Sequence, residues 1–368
     1  MNHKIIKLFA ILAALVFLTA CGSAPATNWP SLSTDGASVY LSNGSHIYIV
    51  DVASGVEKTI LTSSGSVAAR IPQAAQSSMA FYAPVAFSSD KTLLVGNSAT
   101  KSHNFFNFDP KTGNVLWSFD AAKNTWIAKA LVAGDTVYAA SGDGNLYIID
   151  AKKGTAIGSP IQISEHQLWV QPVTDGKQVI VVNMEHQVIS LGMDGKENWK
   201  QTLDTGVLST PLLQDGTLYL GTLSGKLYAI NAATGEIKWN NQLEGNIWGT
   251  PASDGTNLYI GTVIAKAGKF YSVALANGAI NWSRDEEGSI IAGPTVSNGQ
   301  ILYGTEMGKL QSLGSDGTPK WQAVIENAHF YNTPLVVGDS VVMAPMNAEF
   351  MMVAYDLTGA QRWTFTGK

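Results

Sequence analysis

The stretch "LYAINAATGEIKW", from Leu227 to Trp239, decides the fold of this chain. A run with the composition of a β-strand meets a turn closed by Gly235, and a tryptophan follows four residues later. Glycine accepts the positive φ that tight turns require, and tryptophan is a large side chain that gains much from burial. The stretch therefore predicts a β-hairpin whose second strand carries a packed indole.

The same pattern recurs along the chain. Six copies end in a tryptophan, and the last five of these tryptophans are 39 to 43 residues apart. Two further copies carry Thr59 and Gly158 in the tryptophan position. The six tryptophans are Trp117, Trp199, Trp239, Trp282, Trp321 and Trp363. A series of prolines has the same spacing and, with Ala130, places the starts of eight units near residues 30, 84, 130, 172, 211, 251, 294 and 334.

A period near 40 residues, with four short strands and Asp-Gly or Asn-Gly turns in each unit, is typical of a propeller blade. Helical solenoids share the period, but β-branched alternation and dense turns argue against them. We predict an all-β, eight-bladed β-propeller with four antiparallel strands per blade over residues 30–368. Each indole should dock on the neighbouring blade in a structural role, and Gly158 and Thr59 should mark the weakest contacts between blades.

The first residues have a different composition. Lys4 and Lys7 precede an apolar run that is too short to span a bilayer and ends in "LTAC" at Cys21. This arrangement predicts a secretory signal over residues 1–20, and "LTAC" resembles the lipobox of bacterial lipoproteins. The alternative is an ordinary signal that happens to contain a cysteine. We expect lipidation at Cys21, a short tether over residues 21–29, and stable membrane anchoring by two acyl chains.

The composition and motifs argue against several classes of function. Lysine and arginine total 23 against 28 acidic residues, without a basic run, so nucleic-acid binding is not expected. Cys21 is the single cysteine, which excludes disulfides and cysteine-based metal sites. The histidines lack metal-ligand spacing, and neither a nucleophile elbow nor a phosphate loop is present. We therefore predict no catalytic residue, no metal site, no cofactor and no enzyme activity.

The repeat A-x-[DN]-x-x-T-G-x-x-x-W resembles the tryptophan-docking motif of quinoprotein-type, eight-bladed propellers (PQQ-like repeats). Combined with the lipobox and the length, it makes the chain similar to the BamB family, the propeller lipoproteins of the outer-membrane barrel-assembly machinery. The resemblance implies a non-enzymatic scaffold that binds its barrel-forming partner through inter-blade segments bearing an arginine and an aspartate. Here the corresponding segments, "VLSTP" and "NIWGTP", carry neither.

A candidate binding face follows from strand order. In a four-stranded meander, the second-to-third turns and the links between blades emerge on one face, which also receives "VIAKAGK" and the long link from Ile60 to Tyr82. Aromatic residues just before the blade prolines should ring the channel mouth there, with Glu165, His166, Glu244, Asn246 and His329 as polar neighbours. The candidate binding residues are Phe81, Trp126, Trp169, Trp248, Phe330 and Tyr331. The alternative is that these aromatics pack between blades near the axis.

Two functions from different classes remain open. The first is a monomeric, membrane-anchored scaffold that binds envelope proteins, including a component of outer-membrane barrel assembly. It would lie on the periplasmic side of the outer membrane in a two-membrane host and otherwise on the outer face of the cell membrane. The second is a ligand-binding or quinone-binding propeller. A deep pocket with convergent polar groups would favour the second, and a shallow apolar rim the first.

Overall fold

The computed structural model describes residues 30–62, 65–68, 70–72, 79–99 and 101–367. The predicted signal, Cys21 and the tether lie outside these residues. The described residues form eight four-stranded antiparallel sheets, and the predicted eight-bladed all-β propeller is thereby confirmed. Each sheet is one blade, numbered here in chain order.

The strands of the eight blades follow one another along the chain. Blade 1 contains β1 (Ser31–Thr34), β2 (Ser38–Asn43), β3 (His46–Asp51) and β6 (Arg70–Ile71), and blade 2 contains β7 (Ala86–Phe87), β8 (Leu93–Gly96), β9 (Phe105–Phe108) and β10 (Val115–Phe119). Blade 3 contains β11 (Leu131–Ala133), β12 (Thr136–Ala140), β13 (Asn145–Asp150) and β14 (Ile161–Gln162). Blade 4 contains β15 (Val173–Thr174), β16 (Gln178–Val182), β17 (Gln187–Gly192) and β18 (Glu197–Thr202).

Blade 5 contains β19 (Leu212–Gln214), β20 (Thr217–Gly221), β21 (Lys226–Asn231) and β22 (Ile237–Gln242), and blade 6 contains β23 (Ala252–Ser253), β24 (Asn257–Ile264), β25 (Ala267–Ala274) and β26 (Ile280–Glu287). Blade 7 contains β27 (Thr295–Ser297), β28 (Gln300–Gly304), β29 (Lys309–Leu313) and β30 (Pro319–Val324). Blade 8 contains β31 (Leu335–Val337), β32 (Ser340–Met343), β33 (Met352–Asp356) and β34 (Gln361–Phe365). The second and third strands of each blade are largely buried, because both of their faces pack against neighbouring blades.

The turn before each docking tryptophan has a fixed chemistry. In blade 5 the amide of Gly235 donates to the backbone oxygen of Asn231 at 2.8 Å, and the Asn231 side-chain oxygen accepts from the amide of Ala233 at 2.9 Å. Gly235 has a φ of +75°. The motif therefore needs Asn or Asp to hold the turn and glycine to close it.

The tryptophan and glycine of the motif act in different interfaces. The indole of Trp239 lies against Gly278 of blade 6, where a Cβ would come within 2.6 Å of the ring. The Nε1 of Trp239 also donates to the backbone oxygen of Leu275 at 3.2 Å. Gly235 in turn receives Trp199 from blade 4. Each indole thus docks on the glycine turn of the next blade, half-buried in five copies and buried in Trp363.

Blade 3 lacks the tryptophan and fills its place differently. Gly158 belongs to an irregular stretch of the outer strand that ends before Ile161 resumes pairing with Leu146. Ile161 packs on the glycine turn of blade 4, where a Cβ on Gly195 would lie 2.4 Å from the Ile161 Cδ1. An isoleucine three positions later therefore occupies the indole position. The strength of this contact stays a prediction.

Blade 1 departs from the prediction for its outer strand. Glu57 pairs with Val50, but the chain then forms a hairpin of β4 (Thr59–Thr62) and β5 (Gly65–Ala68) before Arg70 pairs with Tyr48. Thr59 therefore begins an inserted hairpin rather than occupying the tryptophan position of the blade. The first part of the long link, expected at the channel mouth, interrupts the outer strand of blade 1 instead.

The ring closes without a shared strand. Blade 1 is built from the start of the described chain and blade 8 from its end, so no sheet mixes the two. Their facing side chains form one buried cluster that includes Leu41, Val50, Val342 and Trp363. Closure therefore rests on side-chain packing and the Trp363 dock rather than on ladder hydrogen bonds.

Candidate functional site

The chain segments that lead into the first, innermost strands of blades 2 to 8 surround the central channel. We call each of these segments an approach. Each approach has one side chain buried between blades, and the next side chain faces the channel, as expected for an extended chain. The channel-facing side chains line a cavity of about 810 Å³. We call this set the mouth ring, and it consists of Tyr82, Ile127, Trp169, Leu208, Trp248, Ile291 and Tyr331.

A second set lines the same cavity two residues further along each approach, about 6–7 Å deeper for extended chain. We call it the inner ring, and it consists of Pro84, Lys129, Gln171, Thr210, Thr250, Gly293 and Thr333. Among all the described lining residues Lys129 is the single charged one. The channel therefore has an apolar, aromatic entrance above a small polar belt with one cation.

Three of the six candidate binding residues do not face the channel, contrary to the prediction, and follow the alternative of packing between blades. Phe81, Trp126 and Phe330 are at most 1% exposed and belong to the cores between blades. Trp126 packs on Gly96 and Phe330 on Gly304, each at the end of a second strand where only glycine leaves room for the ring. The reason is alternation, since neighbouring residues on extended chain point to opposite sides.

The proline of blade 2 is offset by one residue from the prolines of the later blades. Pro84 lies in the inner ring, and Val85 occupies the buried position that prolines fill in later blades. The spacing from Pro84 therefore predicts Phe81 at the channel, whereas the channel residue is Tyr82. The signal for Tyr82 was present in the pair Phe81-Tyr82, which matches Trp126-Ile127 and Phe330-Tyr331 position by position.

The other three predicted residues do meet at the channel. Trp169 is 46% exposed, and its Nε1 donates to the Gln167 side chain at 2.9 Å. The Tyr331 hydroxyl donates to Glu306 at 3.0 Å; burial and this carboxylate raise the Tyr331 pKa to about 12. The hydroxyl therefore stays protonated, and the ring is held in place at the mouth. Trp248 completes the aromatic part of the ring.

A groove of about 700 Å³ adjoins Trp169 between blades 3 and 4. Of the predicted polar neighbours, Glu165 and His166 line this groove, together with Asp143. Burial opposes ionisation of Asp143, but hydrogen bonds led by the Lys123 amide and the Tyr147 hydroxyl outweigh it and lower the pKa. Asp143 is thus an ionised turn residue.

The remaining predicted polar neighbours line neither of these two cavities. Asn246 exchanges both backbone hydrogen bonds with Val263 of the extended blade 6 hairpin. His329 exchanges the same pair with Met346, and Glu244 forms an ion pair with Lys269 at 3.1 Å. Through these hydrogen bonds and this ion pair, the three residues connect the links between blades to the hairpins on the same face.

No group of three or more His, Cys, Asp or Glu side chains that could hold a metal ion occurs within the described ranges. The part of the chain that the structure describes also contains no helix with the length and apolarity needed to cross a bilayer.

The model of the family described as "Outer membrane protein assembly factor BamB" matches residues 47–170, 156–285 and 266–368. The chain belongs to the BamB family. The match covers blades 2 to 8 and begins at the third strand of blade 1, so family membership extends over nearly the whole propeller and over the approaches that form the mouth ring.

Individual relatives are distant. The outer membrane protein assembly factor BamB of Burkholderia pseudomallei (strain K96243) is 33% identical over 129 residues, which are 33% of this chain and 32% of that protein. The matched segment thus spans about a third of this curated relative. Among solved structures, BamB from Moraxella catarrhalis superposes with a TM-score of 0.67 at 15% identity, covering 88% of this chain and 92% of that chain.

The computationally designed Ika8 protein superposes with a TM-score of 0.64 at 14% identity, covering 79% of this chain and 88% of that chain. At such identities the two structures establish the shared propeller fold. The BamB family assignment rests on the sequence model, and the function of this chain has to be argued from its own residues.

Proposed function

We propose that this chain is an exported, lipid-anchored and non-enzymatic scaffold of outer-membrane protein assembly. In this proposal the mouth ring binds a protein partner, with Trp169, Trp248 and Tyr331 as anchors. Family membership supports the assembly role. The relative from Burkholderia pseudomallei carries the name of an assembly factor, and this chain matches about a third of it.

The single observation that carries the binding role is the exposure of Trp169. At 46% it is an exposed large apolar side chain at the edge of a ring of apolar and aromatic neighbours. The six repeat tryptophans and Trp126 are all packed in the blades. Rigid aromatic rings supply contact area at low entropy cost, so they are frequent binding hot spots.

The chemistry of the inter-blade links favours apolar contact. The two segments in which the family resemblance implies an arginine and an aspartate contribute Leu208 and Trp248 to the mouth ring. A partner that docks on these side chains gains mainly from burial of apolar surface, which salt does not screen. Partner capture should therefore persist at high ionic strength.

The test is affinity capture of barrel-assembly components from crosslinked cells, identified by mass spectrometry. The variant Trp169→Ala with Trp248→Ala should weaken capture by roughly tenfold or more, about 1.4 kcal/mol. The control Asp215→Asn changes an exposed turn on the opposite face and should leave capture unchanged. Loss of capture in the control but not in the tryptophan pair would show that the opposite face binds the partner.

A further inference from the structure

The inner ring contains a cation without a counter-charge. Lys129 lines the channel and forms no ion pair with any residue that the structure describes. No aspartate or glutamate is among the described lining residues, although the whole chain carries a net charge of −5. Withdrawing an ammonium group from water costs free energy unless an anion or hydrogen-bond acceptors compensate.

Further donors of the channel wall lack partners. The Nε1 of Trp248 and the Oγ of Ser209 are buried and make no hydrogen bond in the described part of the chain. Ser209 is 5% exposed, and both residues line the cavity with Lys129. Buried polar atoms in folded proteins are rarely unsatisfied, so the polar groups of this wall are not fully paired within the described chain. Because both atoms are enclosed by the wall, the charged group that remains for a ligand in the cavity is Lys129.

The two rings together define the chemistry of that ligand. We propose that the channel binds a carboxylate carried on an apolar or aromatic body, with Lys129 as its counter-ion and the mouth ring around the body. A single lysine matches a single negative charge, whereas a phosphate group usually requires several cationic or backbone donors. A cavity of about 810 Å³ lies within the range of pockets that hold small organic ligands.

The state of Lys129 agrees with this assignment. Burial lowers the pKa of the Lys129 ammonium below its ordinary value. A bound carboxylate favours the charged form and would raise this pKa again. The ligand site goes beyond the proposed scaffold role because its charge recognition lies in the inner ring, while its apolar contacts share the mouth ring with the proposed protein anchors.

The experiment compares two ligands of nearly equal shape on the purified full chain. We expect 2-naphthoate to bind roughly tenfold or more tightly than neutral 2-naphthamide in calorimetric titrations at pH 7. Lys129→Met should abolish this preference, and Lys129→Arg should retain most of it. Equal binding of the two ligands, absence of naphthoate binding, or a preference that survives Lys129→Met would each overturn the proposal.

A second arm identifies the source of the carboxylate. A peptide with a free C-terminal phenylalanine and the same peptide with an amidated terminus compete with 2-naphthoate. Displacement by the free-terminus peptide alone supports a polypeptide terminus as the natural ligand, and failure of both peptides, with naphthoate bound, supports a small acid. The ligand site is measured by the naphthoate preference of the purified chain and the scaffold role by partner capture from cells, so the two proposals can fail separately.

Discussion

The indole Nε1 of Trp363 donates a hydrogen bond to the backbone oxygen of Val52 at 3.0 Å, although 311 positions separate the two residues in the sequence. A Cβ on Gly55 would lie 2.5 Å from the same indole. The last blade thus docks on the first with the contact that joins the interior blades. No strand of the described residues crosses this junction, so side-chain packing and this hydrogen bond hold the ring closed there.

The first prediction concerns this closure. Trp363→Ala should lower the free energy of unfolding by about 3–5 kcal/mol, because a buried indole is replaced by a cavity. Trp239→Ala should cost less, since Trp239 is only half-buried. Urea unfolding followed by far-UV circular dichroism measures both. A larger loss for Trp239→Ala would contradict the dominance of the closing contact.

The second prediction concerns the junction between blades 3 and 4. Ile161→Ala removes the side chain that lies on Gly195 and should lower the free energy of unfolding by about 2 kcal/mol. Ile157→Ala is a matched control, because Ile157 is 46% exposed, and should cost less than about 0.5 kcal/mol. Equal effects in the same unfolding assay would mean that Ile161 does not replace the missing indole.

The third prediction concerns the face opposite the mouth. The carboxylate of Asp254 accepts hydrogen bonds from the amides of Thr256 and Asn257 and from the Tyr259 hydroxyl, at 2.7–2.8 Å. Burial opposes ionisation, but the Tyr259 hydroxyl and the two amides outweigh it, so the Asp254 pKa is lowered. Asp254→Asn should therefore cost about 0.5–1 kcal/mol at neutral pH, a small amount because the carboxylate is exposed to water.

The pH dependence of this effect has a definite sign. Because the folded pKa of Asp254 lies below the unfolded value of about 3.9, its stabilisation is complete well above that pH. It disappears as the pH falls through the folded pKa. The difference between the unmodified chain and Asp254→Asn should therefore shrink between about pH 5 and pH 2 in thermal unfolding.

The fourth prediction concerns a buried charge between blades 6 and 7. Glu286 accepts a hydrogen bond from the Tyr303 hydroxyl at 2.5 Å, lies 2.7 Å from Arg284, and pairs with Lys309. Glu286→Gln leaves two partly buried cations without a counter-charge and should cost about 2–3 kcal/mol. The neighbouring exposed residue gives the control Glu287→Gln, which should be neutral in urea unfolding. A neutral result for Glu286→Gln would mean that solvent already compensates the cations.

The fifth prediction concerns the anchor, which lies outside the described residues. Cys21→Ser removes the thiol that accepts the lipid and should move the protein from the membrane fraction to the soluble fraction of the exported material. Immunoblots of fractionated cells measure the distribution. A similar change at Ser23 should have no effect, and continued membrane attachment of Cys21→Ser would disprove the lipobox interpretation.

The sequence by itself determined the blade count, the strand order and the docking role of the tryptophans. These features repeat every 40 residues or so, and each depends on contacts within a blade or with the next one. The turn from Asn231 to Gly235 is local chemistry, and the repetition of its spacing made the prediction secure. The sequence also limited the channel mouth to the residues just before each blade.

Only the tertiary structure decided which of those residues face the channel. Phe81 and Tyr82 are neighbouring aromatic residues, and a shift of one residue in the predicted register exchanges the side chain buried between blades for the one that faces the channel. The sequence around Lys129 does not indicate an unpaired cation either. Lys129 is unpaired because the approaches of the six other blades place no aspartate or glutamate in the described lining of the channel. Blade closure by Trp363 and the substitution of Ile161 for an indole likewise depend on three-dimensional proximity, which a repeat period does not encode.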